Sequence, residues 1–296
     1  MTESQPDQKA PIHGALVVNK PSGPTSHDIV ETVRRFFNSR VGHAGTLDPL
    51  ASGVLVLLLG NATRLAQFFQ QSDKTYRARI RLGVTTSTYD LEGEVQSSNP
   101  VPDFSTRKLE ETLRGFTGEI EQIPPMFSAV RVGGERLYEK ARRGETVERK
   151  PRAVSIHCIE FIELAGSDLV VEVRCSAGTY VRVLAHDIGE KLGCGACLGE
   201  LCRLQSGDYQ LSDAVQIDEL STPPTTGFRG MEVLLPNFRR VDLQKDSARL
   251  ARHGNPVTVH GAAGCCRLFH RNSLIAIARQ AGEVAQPIVV FPHESD

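Results

Sequence analysis

Tryptophan is absent from this 296-residue chain, and tyrosine occurs only five times. Any surface that binds by aromatic stacking must be built from few residues. A charge bias is missing too: 34 lysines and arginines stand against 35 aspartates and glutamates, a formal net charge of −1. As a sum, that balance gives no sign of a polyanionic partner. Long apolar runs are also missing. The longest, Val54 to Leu59, falls far short of the about 20 residues a membrane-spanning helix needs. No Gly-Lys-Ser/Thr phosphate loop is present, and no Gly-x-Gly-x-x-Gly follows a strand pattern, so a nucleotide cofactor is not expected.

Cysteine is present but unpaired in pattern. The seven lie at 158, 175, 194, 197, 202, 265 and 266. The number is odd, and the polar start from Met1 to Ile12 has no secretory apolar core. A disulfide framework is therefore not expected, and the cytoplasm is the expected compartment. Cys194-x-x-Cys197 could be half of a zinc site. Its second half is lacking, because Cys265 and Cys266 are adjacent. The thiols read as reduced and partly buried, with no metal.

What remains is an ordinary globular composition, 40% hydrophobic and 23% charged. The length suits one large domain with a small companion. Residues 1–13 read as a disordered leader. Ala15 to Val18 reads as a strand, followed by a loop of breakers from Lys20 to Pro24. Thr25-x-x-Asp28 is a capping-box pattern, and Ile29, Val30, Val33, Phe36 and Phe37 follow at helical spacing. Arg40 to Gly53 reads as an ordered loop and Val54 to Leu59 as a buried strand. Asn61 should cap a short helix bearing Leu65, Phe68 and Phe69. Residues 76–82 alternate: Tyr76, Ala78, Ile80 and Leu82 share one face and Arg77, Arg79 and Arg81 the other. Leu109, Leu113 and Phe116 mark a helix. Gln122 to Lys150 lacks an apolar face and reads as an excursion. Val154 to Ile162 and Leu169 to Cys175 read as strands, and Tyr180 to Leu192 as a helix. Ser221 to Gly230, rich in breakers, weakens the pattern. After Val241 come short β-like runs, such as Leu274 to Ala278 and Ile288 to Phe291, which suggest a small separate β domain. Helices interspersed without regular βαβ alternation favour an α+β fold.

Read by segment, the charge is uneven. Lys74 to Arg81 holds four basic residues and no acidic one; residues 131–152 hold eight basic and four acidic. Residues 82–121 hold eight acidic and three basic. On charge alone a solvated, mixed surface is the favoured reading; the sharper one is a phosphate-tracking surface, basic at one cleft and the excursion and acidic elsewhere. Asp90, Glu92 and Glu94 read as a strand-end turn at the surface, lacking the glycine placement of a calcium loop.

Gly42 to Gly53 is the most informative stretch. Asp before Pro commonly opens a turn, so a structural Asp48 is the default reading; Pro49 also stiffens the backbone after Asp48, which suits a positioned catalytic group as well as an ordinary tight turn. The stretch resembles the active-site motif of the TruB-type bacterial tRNA pseudouridine synthases. Asn19-Lys20-Pro21-Ser22-Gly23-Pro24-Thr25-Ser26 is similar to that family's first motif, and Lys74-Thr75-Tyr76 with Gly83 to Gly93 to its second. Pro124 to Ala129 with Gly134 to Gly144 is similar to its RNA-gripping thumb, about residues 122–152. Cys175 to Arg182 is similar to its third motif. Together these span residues 14 to about 240, and the last 55 or so residues resemble the family's small PUA-type RNA-binding domain.

The resemblance implies a catalytic domain with a mixed, largely antiparallel sheet at 14–240 and a β domain at 241–296. It implies Asp48 as nucleophile and Tyr76 as the aromatic that stacks on the target base. His43 would contact RNA when the nucleotide flips. Arg182 would pair with Asp48, Tyr180 would lie beside it, and Leu201 would line the uracil pocket. Lys20, in the first motif, would join these substrate-binding residues. Phe127, Arg131 and Cys202 depart from the usual tyrosine, lysine and arginine. The implied reaction converts uridine 55 of the tRNA T loop to pseudouridine without cofactor or metal, by a monomer with no obligate protein partner. Two other readings are an RNA-binding module or tRNA chaperone of the same fold without catalysis, and a different enzyme using Asp48 as general base or metal ligand with Asp90, Glu92 and Glu94 as further acids.

Overall fold

The computed structural model describes residues 12–292 except 129, 222, 223 and 225. Most of the expected leader (1–11), with Ala129 of the thumb motif and part of the 221–230 stretch, lies outside the described residues. Ile12 and His13 belong to the folded body: His13 Nδ1 accepts the Asn61 backbone N–H at 3.2 Å.

Strand β1 (Gly14–Lys20) is apolar on both faces and buried on both. The breakers after it turn the chain into α1 (Ser26–Phe37). Thr25 caps that helix through its hydroxyl, and the Asp28 carboxylate returns the bond to the Thr25 N–H. Asn38 ends it in the left-handed region, which asparagine tolerates. Residues 40–53 are not one loop. β2 (Val41–His43) pairs antiparallel with β3 (Ala51–Leu59), which starts three residues before the apolar run. A three-residue strand holding a glycine shows no alternation, so pattern could not reveal it. The turn after β3 also differs: Gly60–Leu65 is a 3₁₀ segment leading into α2 (Ala66–Gln70). Asn61 lies inside it and caps neither. Leu65 and Phe69 are buried there as the spacing implies.

In β4 (Lys74–Leu82) the Tyr76 face is buried, and Arg77 and Arg79 are exposed. A ribbon of β5 (Val84–Thr86) and β6 (Val95–Ser98) precedes α3 (Thr106–Arg114) and β7 (Gly118–Gln122). The excursion leaves at Gln122 and returns at Arg152, which pair directly across β7 and β10 (Arg152–Ala165). Between them lie a hairpin, β8 (Arg131–Val132) with β9 (Glu135–Arg136), and α4 (Leu137–Arg142). β11 (Asp168–Cys175), α5 (Val181–Leu192), β12 (Ala196–Ser206), β13 (Tyr209–Gln210) and β14 (Phe228–Gly230) complete the body.

The ten-stranded sheet runs β14-β1-β3-β12-β4-β11-β10-β7, with β2 and β13 at its sides. Every pairing is antiparallel except β3 with β12, where Ala51 to Gly53 run beside Leu201 to Arg203. Gly53 is required there, because a Cβ would lie 2.3 Å from the Arg203 carbonyl oxygen. This one parallel seam brings the chain just after Asp48 against Leu201 and Arg203. Helices α1, α3 and α5 cover one face of the sheet.

The other face of β1 and β3 is covered by a second sheet, in which β15 (Arg239–Asp242), α6 (Lys245–Arg252), β16 (Val257–Thr258), β17 (Gly264–His270), β18 (Ser273–Ala281) and β19 (Val284–Val290) follow in the chain. The strand order is β15-β17-β18-β19-β16. It is not separate in its packing. Phe269, Leu274, Ile277 and Phe291 share one cluster with Ala15, Val17, Val54 and Val56. The apolar back of β1 and β3 must be covered, and this sheet covers it. Helix α6 was hidden because its buried residues are only Ala248 and Ala251. The whole is α+β, and no helix among the described residues is long and apolar enough to cross a membrane.

Candidate active site

Asp48 stands on a loop gripped from beneath by three buried side chains. Ser26 Oγ donates to the Leu47 carbonyl and accepts its N–H, both at 2.8 Å. Lys20 is fully buried, and its Nζ donates to the carbonyls of Pro21 (2.9 Å), Pro49 (3.2 Å) and Ala51 (2.6 Å). Arg203, also buried, donates to the carbonyls of Gly45 (3.1 Å), Thr46 (3.3 Å) and Val54 (2.7 Å). Carbonyls taken out of water need donors, and charged donors make the stronger bonds. Lys20 thus lies under the loop, not in the cleft. Burial lowers its pKa to about 8, although the Asp48 charge pulls it back up.

Above the loop sits Arg182, in the first turn of α5. Its Nη2 lies 3.2 Å from Asp48 Oδ2 and donates to the Phe127 carbonyl at 2.6 Å. Its Nη1 lies 3.4 Å from Asp90 Oδ2. Asp90 is only 2% exposed, so the surface turn expected for it is wrong for this residue. Thr88 Oγ1 donates to its Oδ1 at 2.5 Å and the Glu92 N–H at 3.2 Å. A bridge to Leu198 in β12 draws the turn inward at Asp90. Glu92 and Glu94 remain exposed. The sequence offered Asp90 only as one of three further acids in the alternative enzyme reading, with no sign that Arg182 would join it to Asp48.

The Asp48 side chain is 39% exposed, so a ligand can reach it. Burial pushes its carboxyl above the usual carboxylate range, and the Asp90 charge adds to this; Arg182 and Lys20 oppose both. Arg182 therefore moderates the rise without reversing it.

Two chambers open on either side of the Asp48–Arg182 pair. The inner one, about 260 Å³, is lined by Tyr76, Tyr180, Leu201 and Lys74 among others. The outer one, about 800 Å³, is lined by His43, His27, Phe127, Tyr138 and Arg142 with Asp90 and Glu92. Tyr76 presents its ring from the buried face of β4, and burial raises its phenol pKa. Tyr180 precedes α5, and the Gln122 side chain pins it by accepting its N–H (2.9 Å) and donating to its carbonyl (3.3 Å). Asp48, His43, Tyr76, Tyr180, Arg182 and Leu201 all line these chambers; Lys20 alone of the sequence-derived set does not. Arg203 escaped the sequence reading, since an arginine inside a strand carries no sign of the carbonyls it will reach.

The expected basic cleft is not formed. Arg77 pairs with Glu172 (3.4 Å), Arg79 with Asp168 (3.7 Å) and Glu200 (3.3 Å), and Arg81 with Asp168 (2.5 Å). They stand on the sheet face opposite Tyr76, as strand alternation demands. Of the four basic residues of that segment, Lys74 lines the inner chamber, beside Tyr76. In the thumb, Lys140 and Arg143 both pair with Glu135 and Glu145, and Arg142 lines the outer chamber. Cys202 lies across from Arg77 and lines a groove on the arginine face. Arg131 donates to the Gly134 carbonyl within its own hairpin.

Residues 34–181 match the TruB family pseudouridylate synthase N-terminal domain, and residues 182–225 match the tRNA pseudouridylate synthase B C-terminal domain. The tRNA pseudouridine synthase B of Dechloromonas aromatica (strain RCB) is 43% identical over 272 residues, covering 90% of this chain and 91% of that protein. The enzyme of the same name from Thermobifida fusca (strain YX) is 40% identical over 288 residues, covering 94% and 98%. A solved structure of a Cbf5–Nop10–Gar1 complex contains a chain superposing with a TM-score of 0.73 at 25% identity, over 98% of this chain and 90% of that one. With Asp48, Arg182 and Tyr76 gathered at one cleft and similarity running through almost the whole length, the chain belongs to the TruB family of pseudouridylate synthases, which are isomerases.

Proposed function

We propose that this enzyme converts uridine 55 in the T loop of tRNA to pseudouridine, with Asp48 as nucleophile. The observation that carries this reading is a reachable carboxylate on a rigid mount, 3.2 Å from a buried guanidinium, opening onto a chamber walled by Tyr76 and Leu201. The target base is stacked within the folded loop and must be extruded to be reached. The inner chamber receives it, with Tyr76 and Leu201 against its faces. Asp48 attacks the nucleoside as the C1′–N1 bond breaks, in the manner of a glycosidase carboxylate. The uracil turns, C5 bonds to C1′ as the bond to Asp48 breaks and the carboxylate is released, the C5 hydrogen leaves as a proton and N1 gains one. Atoms balance and nothing is oxidised, so the reaction itself calls for no redox cofactor. Arg182 holds Asp48 in place and balances its charge while water is excluded.

His43, Phe127, Tyr138 and Arg142 around the outer chamber hold the neighbouring nucleotides. Residues 14–240 form the catalytic domain and residues 241–296 a PUA-like RNA-binding domain. The enzyme works as a monomer in the cytoplasm without an obligate protein partner. The test is tritium release from tRNA transcript carrying [5-³H]uridine, with the product position mapped. Release at uridine 55 supports the reading. Tight binding of transcript without release favours an RNA-binding module instead.

A further inference from the structure

The two chambers meet at a neck. Thr46, Leu47, Asp48, Ser128 and Arg182 line both. On the activity proposed above, a nucleotide with its base in the inner chamber and its phosphates leading out through the outer one has its ribose at this neck. The position of Asp48 requires the same, since its target bond ends at C1′.

Ser128 stands out among these residues. It is only 4% exposed, and its Oγ has no hydrogen-bond partner among the described residues. Buried hydroxyls are normally paired, so an orphan at a ligand-sized opening marks a place for a ligand atom. The residue is well fixed. Its N–H donates to the Met126 carbonyl at 3.0 Å, and its own carbonyl accepts the Tyr138 N–H at 3.1 Å. The carbonyl before it, on Phe127, is held by Arg182. Arg182 Nε, at the same neck, also lacks a partner. The base-side wall carries other polar side chains: Tyr180, Lys74, whose Nζ also donates to the Gln70 and Ser72 carbonyls, and Ser176, whose Oγ also accepts the Ser155 N–H. The group a neck hydroxyl meets is one on the sugar. A serine hydroxyl can donate and accept, which matches another hydroxyl.

We propose that Ser128 is a substrate contact that hydrogen-bonds the 2′-hydroxyl of the target ribose. It thereby favours a ribonucleotide over a deoxyribonucleotide at the reacting position. The inference rests on the proposed activity, and the experiment separates the two. A T stem-loop RNA is prepared with either uridine or 2′-deoxyuridine at the target nucleotide. Equilibrium binding of both RNAs and single-turnover conversion of the uridine RNA are measured for wild type, Ser128→Ala and Ser128→Thr.

The Ala variant should lose about tenfold in conversion or binding of the uridine RNA, the size of one lost hydrogen bond. It should bind the deoxyuridine RNA as wild type does. The Thr variant keeps a hydroxyl and should keep most of the discrimination. An equal loss on both RNAs would mean that Ser128 serves the base or the fold, and would overturn the proposal. So would an Ala variant that treats the uridine RNA as wild type does. A wild type that binds the uridine RNA but never converts it would overturn the activity itself.

Discussion

Replacing Asp90 by asparagine removes one negative charge from a triad in which a single guanidinium serves two carboxylates. Arg182 Nη1 lies 3.4 Å from Asp90 and Nη2 3.2 Å from Asp48. The Asp90 charge is one reason the Asp48 carboxyl lies above its ordinary range. Its removal must lower the Asp48 pKa. If the ionised form of Asp48 is the reactive one, the acid limb of the pH–rate profile moves to lower pH. Stability changes in parallel. Asparagine still offers an oxygen to Arg182, and its loss of a charge-assisted bond costs about 1.5–3 kcal/mol. Alanine leaves the buried guanidinium half unpaired, at about 3–5 kcal/mol. For a domain of this size that is about 10 °C in melting midpoint. Single-turnover tritium release from pH 4 to 9, with thermal melts of Asp90→Asn and Asp90→Ala, reads both effects. An acid limb that stays fixed or moves upward would refute the charge argument. An alanine variant as stable as the asparagine one would refute the packing argument.

Arg203→Met leaves the Gly45, Thr46 and Val54 carbonyls without their donor. Its kcat should fall at least tenfold with a smaller change in KM, in steady-state kinetics on transcript, because the Asp48 mount loosens while the RNA surface stays. Asp48→Asn should not lower the melting midpoint at neutral pH. A carboxyl raised in the folded state favours folding in its protonated form, and that advantage is lost as pH rises through the ordinary and then the raised value. Calorimetry at pH 4 and pH 7.5 checks the sign: wild type should gain on Asp48→Asn as the pH falls. Arg77→Gln with Arg79→Gln should leave RNA affinity and its salt dependence unchanged within twofold, since both arginines face Glu172, Asp168 and Glu200. A binding titration across salt concentrations measures it.

Much of the architecture was legible wherever a side-chain pattern reports on burial. Helix α1 announced itself through Thr25, Asp28 and its apolar stripe, and β4 through strict alternation. The same alternation carried a warning that the charge tally overlooked: if Tyr76 faces the cleft, Arg77, Arg79 and Arg81 cannot. A run of basic residues in a strand divides between two faces, so its sum says little about either. β2 was too short, and α6 too poor in large apolar residues, to register. The pairing of Asp48 with Arg182 was legible through resemblance of motifs. Their support was not. Lys20 and Arg203 act on backbone carbonyls, and Asp90 is drawn inward by a bridge to Leu198. Those roles follow from tertiary placement, to which local sequence is blind.

Asp48 is proposed to perform the chemistry at tRNA uridine 55. The most direct measurement is tritium release from [5-³H]uridine tRNA by wild type and Asp48→Asn, both shown to bind the transcript. The account predicts stoichiometric release from uridine 55 by wild type, and none above background by Asp48→Asn with its binding retained. Release by the variant at the wild-type rate would contradict it.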